Sequence, residues 1–573
     1  MTRSAHDVVV VGAGADGPAL AKRLGERGIS VLILEAGPWY GNEKWPDPNE
    51  GGSGEASSSP DDLDHELLEE QLTRREHETN DLIAGKLRWG PANRDDPPWF
   101  RNLPQKGAIQ QVAGVGGTSQ HYFANHPRAY PTAFDDQPHW PIDYADLVPY
   151  YRTVEEFLPV EPAPTTAKEE LFFQGADAAG YEVVTTKDVT EAGYRNQPNA
   201  ITQPDEDIDD PDTPLAGPDV RGSVLAGHQY QGPIHPLGAP VDEKAKRSSL
   251  VSWVPAALET GHVTIRPNAF VTRVVTDTTG GTVTATGVEF RDTWTGETHE
   301  VSADVVVLAA GSIETPRLWL KSELPDGEWV GQGMTTHWFD MVVGVFDEET
   351  LEEKIGQPTL NPHVGQVSAA RYEEPGVGCF ETFGYNPGLA SLVNYAFSRT
   401  GYSFDQAVDP ADPWDSVGRV VGRDLKSKMA DYRRTLSLIV LTDDRPRQEN
   451  GVALDPDSVD EHGPVPLVQW EPHPDDSARR EQLTRTAATV LRAAGASHVH
   501  RVDWPPLLLH IQSTMRMGEV TDAAGEAAEV ARLFIGDHSL LANGVGGVNP
   551  THTGQALALR TADHIAERYY ERE

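Results

Sequence analysis

Asp7-Val-Val-Val-Val11-Gly12-Ala-Gly14-Ala-Asp-Gly17, followed by Val31-Leu-Ile-Leu34-Glu35, is the stretch whose reading decides the fold. A continuous β-branched run such as 7–11 suits a strand of a parallel sheet covered on both faces. An Ala/Leu-rich helix follows near 17–27, with Pro18 in its first turn, where the missing N–H costs little. A second apolar strand at 31–34 completes a βαβ unit. Gly12 allows the tight turn, Gly14 lets backbone approach a pyrophosphate, and Gly17 allows close helix–strand packing. The helix N–H groups then face the phosphates, and Glu35, with Ala36 beside it, sits where ribose hydroxyls would be bound. With strand, helix and terminal acid in register the motif predicts dinucleotide binding; alone it does not separate FAD from NAD.

At 573 residues the chain exceeds one ordinary core, and 38% hydrophobic residues suffice to fill a large one. Acidic residues number 88 against 47 basic, a formal net charge of −41, and only 12 of the basic residues are Lys. Such a charge repels phosphates and anionic lipid, which argues against nucleic-acid and membrane-surface partners. At molar salt the screening length falls to about 3 Å and self-repulsion fades, so this surface resembles those of salt-adapted (halophilic) proteins; an acidic mesophile is the alternative. The single cysteine, Cys379, permits no intrachain disulfide and reads as a core residue. The Gly-rich motif begins by Gly12, which leaves no room for a signal peptide, and no apolar run is long enough to span a membrane. The expected location is cytoplasmic.

Residues 51–62 and 202–218 are acidic and rich in Gly, Ser or Pro, and read as solvated loops. Residues 263–308 alternate as strands do and end in the apolar run Asp304-Val-Val-Val-Leu308; a helical stretch over 553–571 closes the chain. Nucleotide-binding segments at the start, middle and end would converge on one sheet, and the stretches between would form a second lobe over the cofactor.

Three further motifs carry chemistry. Gly114-Val-Gly116-Gly117-Thr118-Ser-Gln-His121-Tyr122 lets chain pass close to a flat ligand. Ala309-Ala310-Gly311-Ser312-Ile-Glu-Thr315-Pro316 follows the 304–308 strand. His510-Ile-Gln-Ser513-Thr-Met-Arg516-Met-Gly518 is followed by Ile535-Gly-Asp537 and by Gly547-Val-Asn549-Pro550-Thr551. Together these segments resemble the glucose–methanol–choline (GMC) oxidoreductase family, most closely members with a Gly-Gly-x-x-x-His segment such as pyranose and choline oxidases and gluconate or fructose dehydrogenases.

The resemblance implies an α/β fold in which a discontinuous Rossmann-like FAD domain (1–160, 225–335, 505–573) carries a substrate lobe on an antiparallel sheet (161–224, 336–504). In pyranose and choline oxidases the histidine four residues after the second Gly is bonded to the flavin C8-methyl. His121 holds that position, although an imidazole there can instead stack or hydrogen-bond. Val271 matches a position whose backbone contacts adenine. The family's His and Asn before the flavin N5 edge map onto His510 and Asn549. An imidazole can accept the hydroxyl proton as hydride leaves the carbon, and an amide can donate to the developing alkoxide. The helix from Thr551 would aim its positive end at the flavin N1–C2=O.

This sequence departs from the family at Trp319 (usually aliphatic), Glu323 (usually Gly) and Ser513 (usually Gly). His337, in Val330-Gly-Gln-Gly-Met-Thr-Thr-His-Trp, resembles a family stretch near the domain junction and reads as a structural contact. His552 is expected in helix packing, and His126 could line the site mouth. Trp338, Phe339, Phe380, Phe383 and Tyr385 could stack on a sugar but read first as core. No metal-ligand spacing and no acyl-transfer elbow is present. The expected activity is FAD-dependent oxidation of a CH–OH group on a sugar, polyol or related alcohol. A GMC-fold lyase and a non-redox flavin-binding protein are the alternatives. Whether oxygen, a quinone or a carrier protein takes the electrons stays open.

Overall fold

The computed structural model describes residues 6–37, 39, 86–89, 99–102, 108–109, 111–120, 122–135, 139–201, 246–293, 295–362, 364–384, 387–400 and 408–571. The two acidic loop segments, 51–62 and 202–218, lie outside them, as do His121 and Tyr385.

The strand His6–Val11 runs through the middle of an eight-stranded sheet. Val31–Leu34 pairs parallel on one side and Thr298–Leu308 on the other, so that Val9 lies between Leu32 and Val306. Val263–Arg266 extends the sheet beyond Val31–Leu34. Val8, Val9 and Val10 are fully buried, as strands covered on both faces require. Thr298–Leu308 changes its pairing midway. Its alternating first half pairs antiparallel with Val283–Asp292, and its uniformly apolar second half pairs parallel with the first strand and with Leu533–Ile535. The chain's start, middle and end thereby meet in one sheet.

The first helix, Gly17–Gly25, stops short of residue 27, and the last, Thr551–Tyr569, begins just before the expected 553. The two pack together, tied by Arg23 forking onto the Asp563 carboxylate at 2.7 and 3.1 Å and by Arg27 at 2.6 Å. Among the described residues no helix is long and apolar enough to cross a membrane.

A second sheet of seven strands follows the order Gly193–Asn196, Ala370–Glu374, Gly378–Phe383, Thr435–Thr442, Asp340–Val345, His498–Arg501, Ser416–Val417. Every pair is antiparallel except the last. Helix Pro474–Ala493 covers it, placing Leu483, Ala487 and Leu491 in one apolar cluster with Phe172, Leu438 and Val440. Trp338, Phe339, Phe380, Phe383 and Cys379 are buried in core. The architecture is the expected one: an α/β, discontinuous Rossmann-like sheet with a second lobe on an antiparallel sheet.

Both positions where Gly is usual in the family are left-handed here, with φ +53° at Glu323 and +69° at Ser513. Glu323 directly follows the C-cap Ser322 of helix Gly311–Lys321, where a residue with a Cβ is strained by about 1–2 kcal/mol. Glu323→Gly should therefore stabilise the protein by about 1 kcal/mol, seen as a higher denaturation midpoint. An unchanged or lower midpoint would show that the strain is relieved elsewhere.

Candidate active site

Gly12 turns at φ +110°, and a Cβ there would lie 2.3 Å from the Ala309 carbonyl oxygen. A Cβ on Gly17 would lie 2.2 Å from the Gly12 carbonyl oxygen, whereas Gly14 faces open space on the wall of a cavity of about 420 Å³. The second Gly-rich segment docks on the first. Gly116 N–H donates to the Ala13 carbonyl at 2.7 Å, and a Cβ on Gly117 would meet Gly14 Cα at 2.8 Å. Glu35 fastens the junction: its carboxylate accepts from the N–H groups of Ala13 (2.8 Å), Gly37 and Gly114 (both 2.9 Å). The sequence suggested only a ligand-facing role for Glu35, so this knot is additional. Burial pushes the Glu35 carboxyl up, and those N–H groups pull it back.

Across the cavity Asp537 does similar work. Its Oδ2 accepts from Gly311 N–H (2.9 Å) and Thr315 Oγ1 (2.6 Å), and its Oδ1 from Ser539 N–H (2.8 Å). Helices Gly17–Gly25, Gly311–Lys321 and Thr551–Tyr569 all begin at this cavity, whose walls include Gly14, Asp16, Gly311, Pro550 and Thr551. Three helix N-termini on one cavity favour a ligand carrying negative charge.

His510 and Asn549 also line the cavity. His510 adopts φ +53°, and its Nδ1 lies 3.0 Å from Nδ1 of His337. His337 Nε2 is 3.1 Å from the Gly544 carbonyl oxygen, which can only accept, so Nε2 carries the proton and Nδ1 the lone pair. The Gln512 carboxamide lies 3.1 Å from the same Nε2, and its otherwise unpartnered oxygen matches that N–H once the amide is turned. His510 must then donate from Nδ1, which leaves its Nε2 unprotonated. Asn549 Oδ1 receives a long hydrogen bond, 3.5 Å, from Nη1 of buried Arg371.

The cavity brings together Gly12, Gly14, Glu35, Ala36, Gly117, Thr118, Val271, Ala310, Gly311, His510, Asp537, Asn549, Pro550 and Thr551. Gly17 and Gly116 support the turns from behind rather than lining it. The contact expected of His337 is made with His510. His126 is buried between Tyr122 and His552, away from the cavity wall, and His552 packs against Tyr151. Sequence reasoning missed Asp16, Asn125, Arg371 and His538. Only Asp16, as an acid inside the first Gly-rich turn, carried a signal that could have been read. No group of His, Cys, Asp or Glu able to hold a metal occurs among the described residues.

The walls fit FAD. Gly14 leaves room for a backbone approach, the helix ends suit a pyrophosphate, and Glu35, His510 and Asn549 line the same cavity. Buried polar atoms of residues that line it, Asp16 Oδ1, Gln111 Oε1 and His538 Nε2, have no partner among the described residues and suit a polar ligand. Fold and cavity thus define an FAD-binding protein of the discontinuous dinucleotide type.

Comparison with known proteins agrees. Residues 223–339 and 446–558 match the N- and C-terminal family models of GMC oxidoreductase. The chain is 26% identical to 2-methyl-1,2-propanediol dehydrogenase of Mycolicibacterium austroafricanum, covering 99% of this chain and 97% of that protein. It is 25% identical to the fructose dehydrogenase large subunit of Gluconobacter japonicus, over 98% and 97%. Solved structures of Aspergillus oryzae formate oxidase share the fold, one with a TM-score of 0.61 at 14% identity over 99% of both chains. Segments in the middle and near the end of the chain thus match both domains of a GMC oxidoreductase.

Burial drives the imidazoles towards neutrality: His337 and His126 fall to about 4, His552 to about 3, and His510 well below the ordinary range. Unfolded histidines titrate near 6.5, so the stability these groups contribute is complete above that pH and is lost as pH falls towards their folded values. Buried acids act in the opposite sense, Asp16 lifted to about 6 and Glu35, Glu381, Asp444 and Asp476 also raised, but among the described residues nine histidines are lowered. The denaturation midpoint, measured at fixed high salt, should fall between pH 7.5 and 5.5, each buried imidazole contributing at most about 1.4 kcal/mol per pH unit. A flat or rising midpoint would show that these rings are not held neutral.

Proposed function

We propose that this protein oxidises a CH–OH group of a small hydroxylated substrate, of the sugar or polyol kind, with His510 as the base and Asn549 as the donor to the reacting oxygen. The observation that carries this reading is the His337–His510 contact, which leaves the His510 Nε2 lone pair available on a residue that lines the cavity with Asn549. Bound FAD supplies the hydride acceptor. Nε2 of His510 takes the substrate hydroxyl proton, and burial keeps the ring neutral and ready at working pH. Nδ2 of Asn549 donates to the oxygen as its charge grows, its own Oδ1 being held by Arg371. His337 acts through His510 as a positioning residue that fixes the tautomer. The full-length similarity to diol and sugar dehydrogenases supports the same substrate class.

Anaerobic mixing with a suitable alcohol should bleach the yellow protein. His510→Ala should retain FAD but bleach at least ~10²-fold more slowly; bleaching at the wild-type rate would remove His510 from the reaction. His337→Leu should slow bleaching by roughly 10-fold and displace its pH profile, whereas His337→Asn, whose Oδ1 can accept from His510 Nδ1, should recover part of the rate. Equal losses in both variants, with no change in the pH profile, would show that His337 serves only in packing.

A further inference from the structure

Behind Asn549 lies a buried ion pair. Arg371 and Glu381 stand directly opposite one another on the antiparallel strands Ala370–Glu374 and Gly378–Phe383, with Nη1 and Oε1 3.4 Å apart. Arg371 Nε is also 2.9 Å from Glu373 Oε1. From this pair, contacts reach two asparagines on the cavity wall. Arg371 Nη1 donates to Asn549 Oδ1 at 3.5 Å and to Gln197 Oε1 at 3.0 Å. Glu381 Oε2 accepts from Asn125 Nδ2 at 2.7 Å and from Ser368 Oγ at 2.9 Å. Asn125 and Asn549 both line the cavity.

Partner chemistry fixes which way each carboxamide faces. A guanidinium only donates, so it takes the oxygen of Asn549. A carboxylate that already receives Arg371 and Ser368 takes the NH2 of Asn125. Asn549 is left with a free donor. Asn125 is left with Oδ1, which is buried and has no hydrogen-bond partner among the described residues. The two carboxamides are thus oppositely anchored on the same ion pair, Asn549 with a donor uncommitted and Asn125 with an acceptor. An ion pair this deeply buried is costly to desolvate, and fixing two side chains in opposite senses is a use for it. An unpaired buried acceptor disfavours any ligand that leaves it unmet.

We propose that Asn125 determines specificity and that the substrate carries a vicinal diol. The reacting oxygen accepts from Asn549 Nδ2, and the hydroxyl on the neighbouring carbon donates to Asn125 Oδ1. This rests on the CH–OH oxidation reading above. A mono-alcohol leaves Oδ1 unpaired, and an O-methyl ether at the neighbouring carbon sets acceptor against acceptor.

The test is anaerobic flavin reduction of the holoenzyme by propane-1,2-diol, glycerol and glucose, each compared with its deoxy and O-methyl counterparts at the neighbouring carbon. The wild-type protein should prefer the diols by about 10- to 100-fold, the loss expected for an unmet buried acceptor. In Asn125→Ala, with FAD content and denaturation midpoint checked, the ratio of diol to deoxy rates should collapse towards one. If Asn125→Ala does not hold FAD, the wild-type series decides alone. Bleaching by mono-alcohols and ethers as fast as by diols, or a ratio unchanged in Asn125→Ala, overturns the assignment of Asn125 while leaving alcohol oxidation standing. Bleaching by none of the alcohols overturns both.

Discussion

Everything at the cavity depends on buried carboxylates that bind N–H and O–H groups of the turns around it, some of them far away in the chain. Glu35 gathers Ala13, Gly37 and Gly114, and Asp537 gathers Gly311, Thr315 and Ser539. Glycine-rich turns lose more conformational freedom on folding than other segments, so they stay in place only where something else fixes them. A carboxylate with three donors does this, because charge-assisted bonds are strong and a buried anion demands them. The same arrangement costs the chain its freedom to vary at Gly12 and Gly17, where a Cβ would strike backbone oxygen.

Local and global electrostatics have opposite signs here. The chain carries −41 overall, yet three helices present their positive ends to one cavity. Helix-end charges act within about one turn, while surface charges are screened over about 10 Å in ordinary buffer. The acidic surface therefore argues against extended polyanions as partners without opposing a phosphate-bearing cofactor enclosed in the cavity. Net charge tells about what meets the surface, and the helix starts tell about what is held within.

The fold was legible wherever its cause was local. Val8–Val10 announced a two-sided strand, the glycine spacing announced the turn, and the apolar run 304–308 announced another buried strand. Family-like segments located Val271, Ala310, Asp537 and Asn549 on the cavity wall. Orientation was not legible, because its causes are distant. His337 meets His510 across 173 positions, Arg371 meets Asn549 across 178, and Asn125 meets Glu381 across 256. No periodicity or spacing encodes such contacts. A lone His, Arg or Asn within a strand or loop looks the same whether or not it has such a partner.

The segment bearing His510 shows how that orientation is made to last. Ser513, Met515 and Met517 donate in turn to the carbonyls of His538, Ser539 and Leu540, and Gln512 exchanges two backbone bonds with Thr335. Held on both sides, the backbone can keep His510 and Ser513 left-handed, a state that costs of order 1–3 kcal/mol at a single residue and persists only where its surroundings over-determine it. The direction of the His510 ring is then set by the fold, and His337 need only choose which nitrogen carries the proton. Asn549 is constrained likewise, its oxygen spoken for by Arg371. Asn125 is held at its other end, Glu381 taking its NH2 while its oxygen has no hydrogen-bond partner among the described residues. Substrate recognition can change at such a position without disturbing the geometry of the reacting pair.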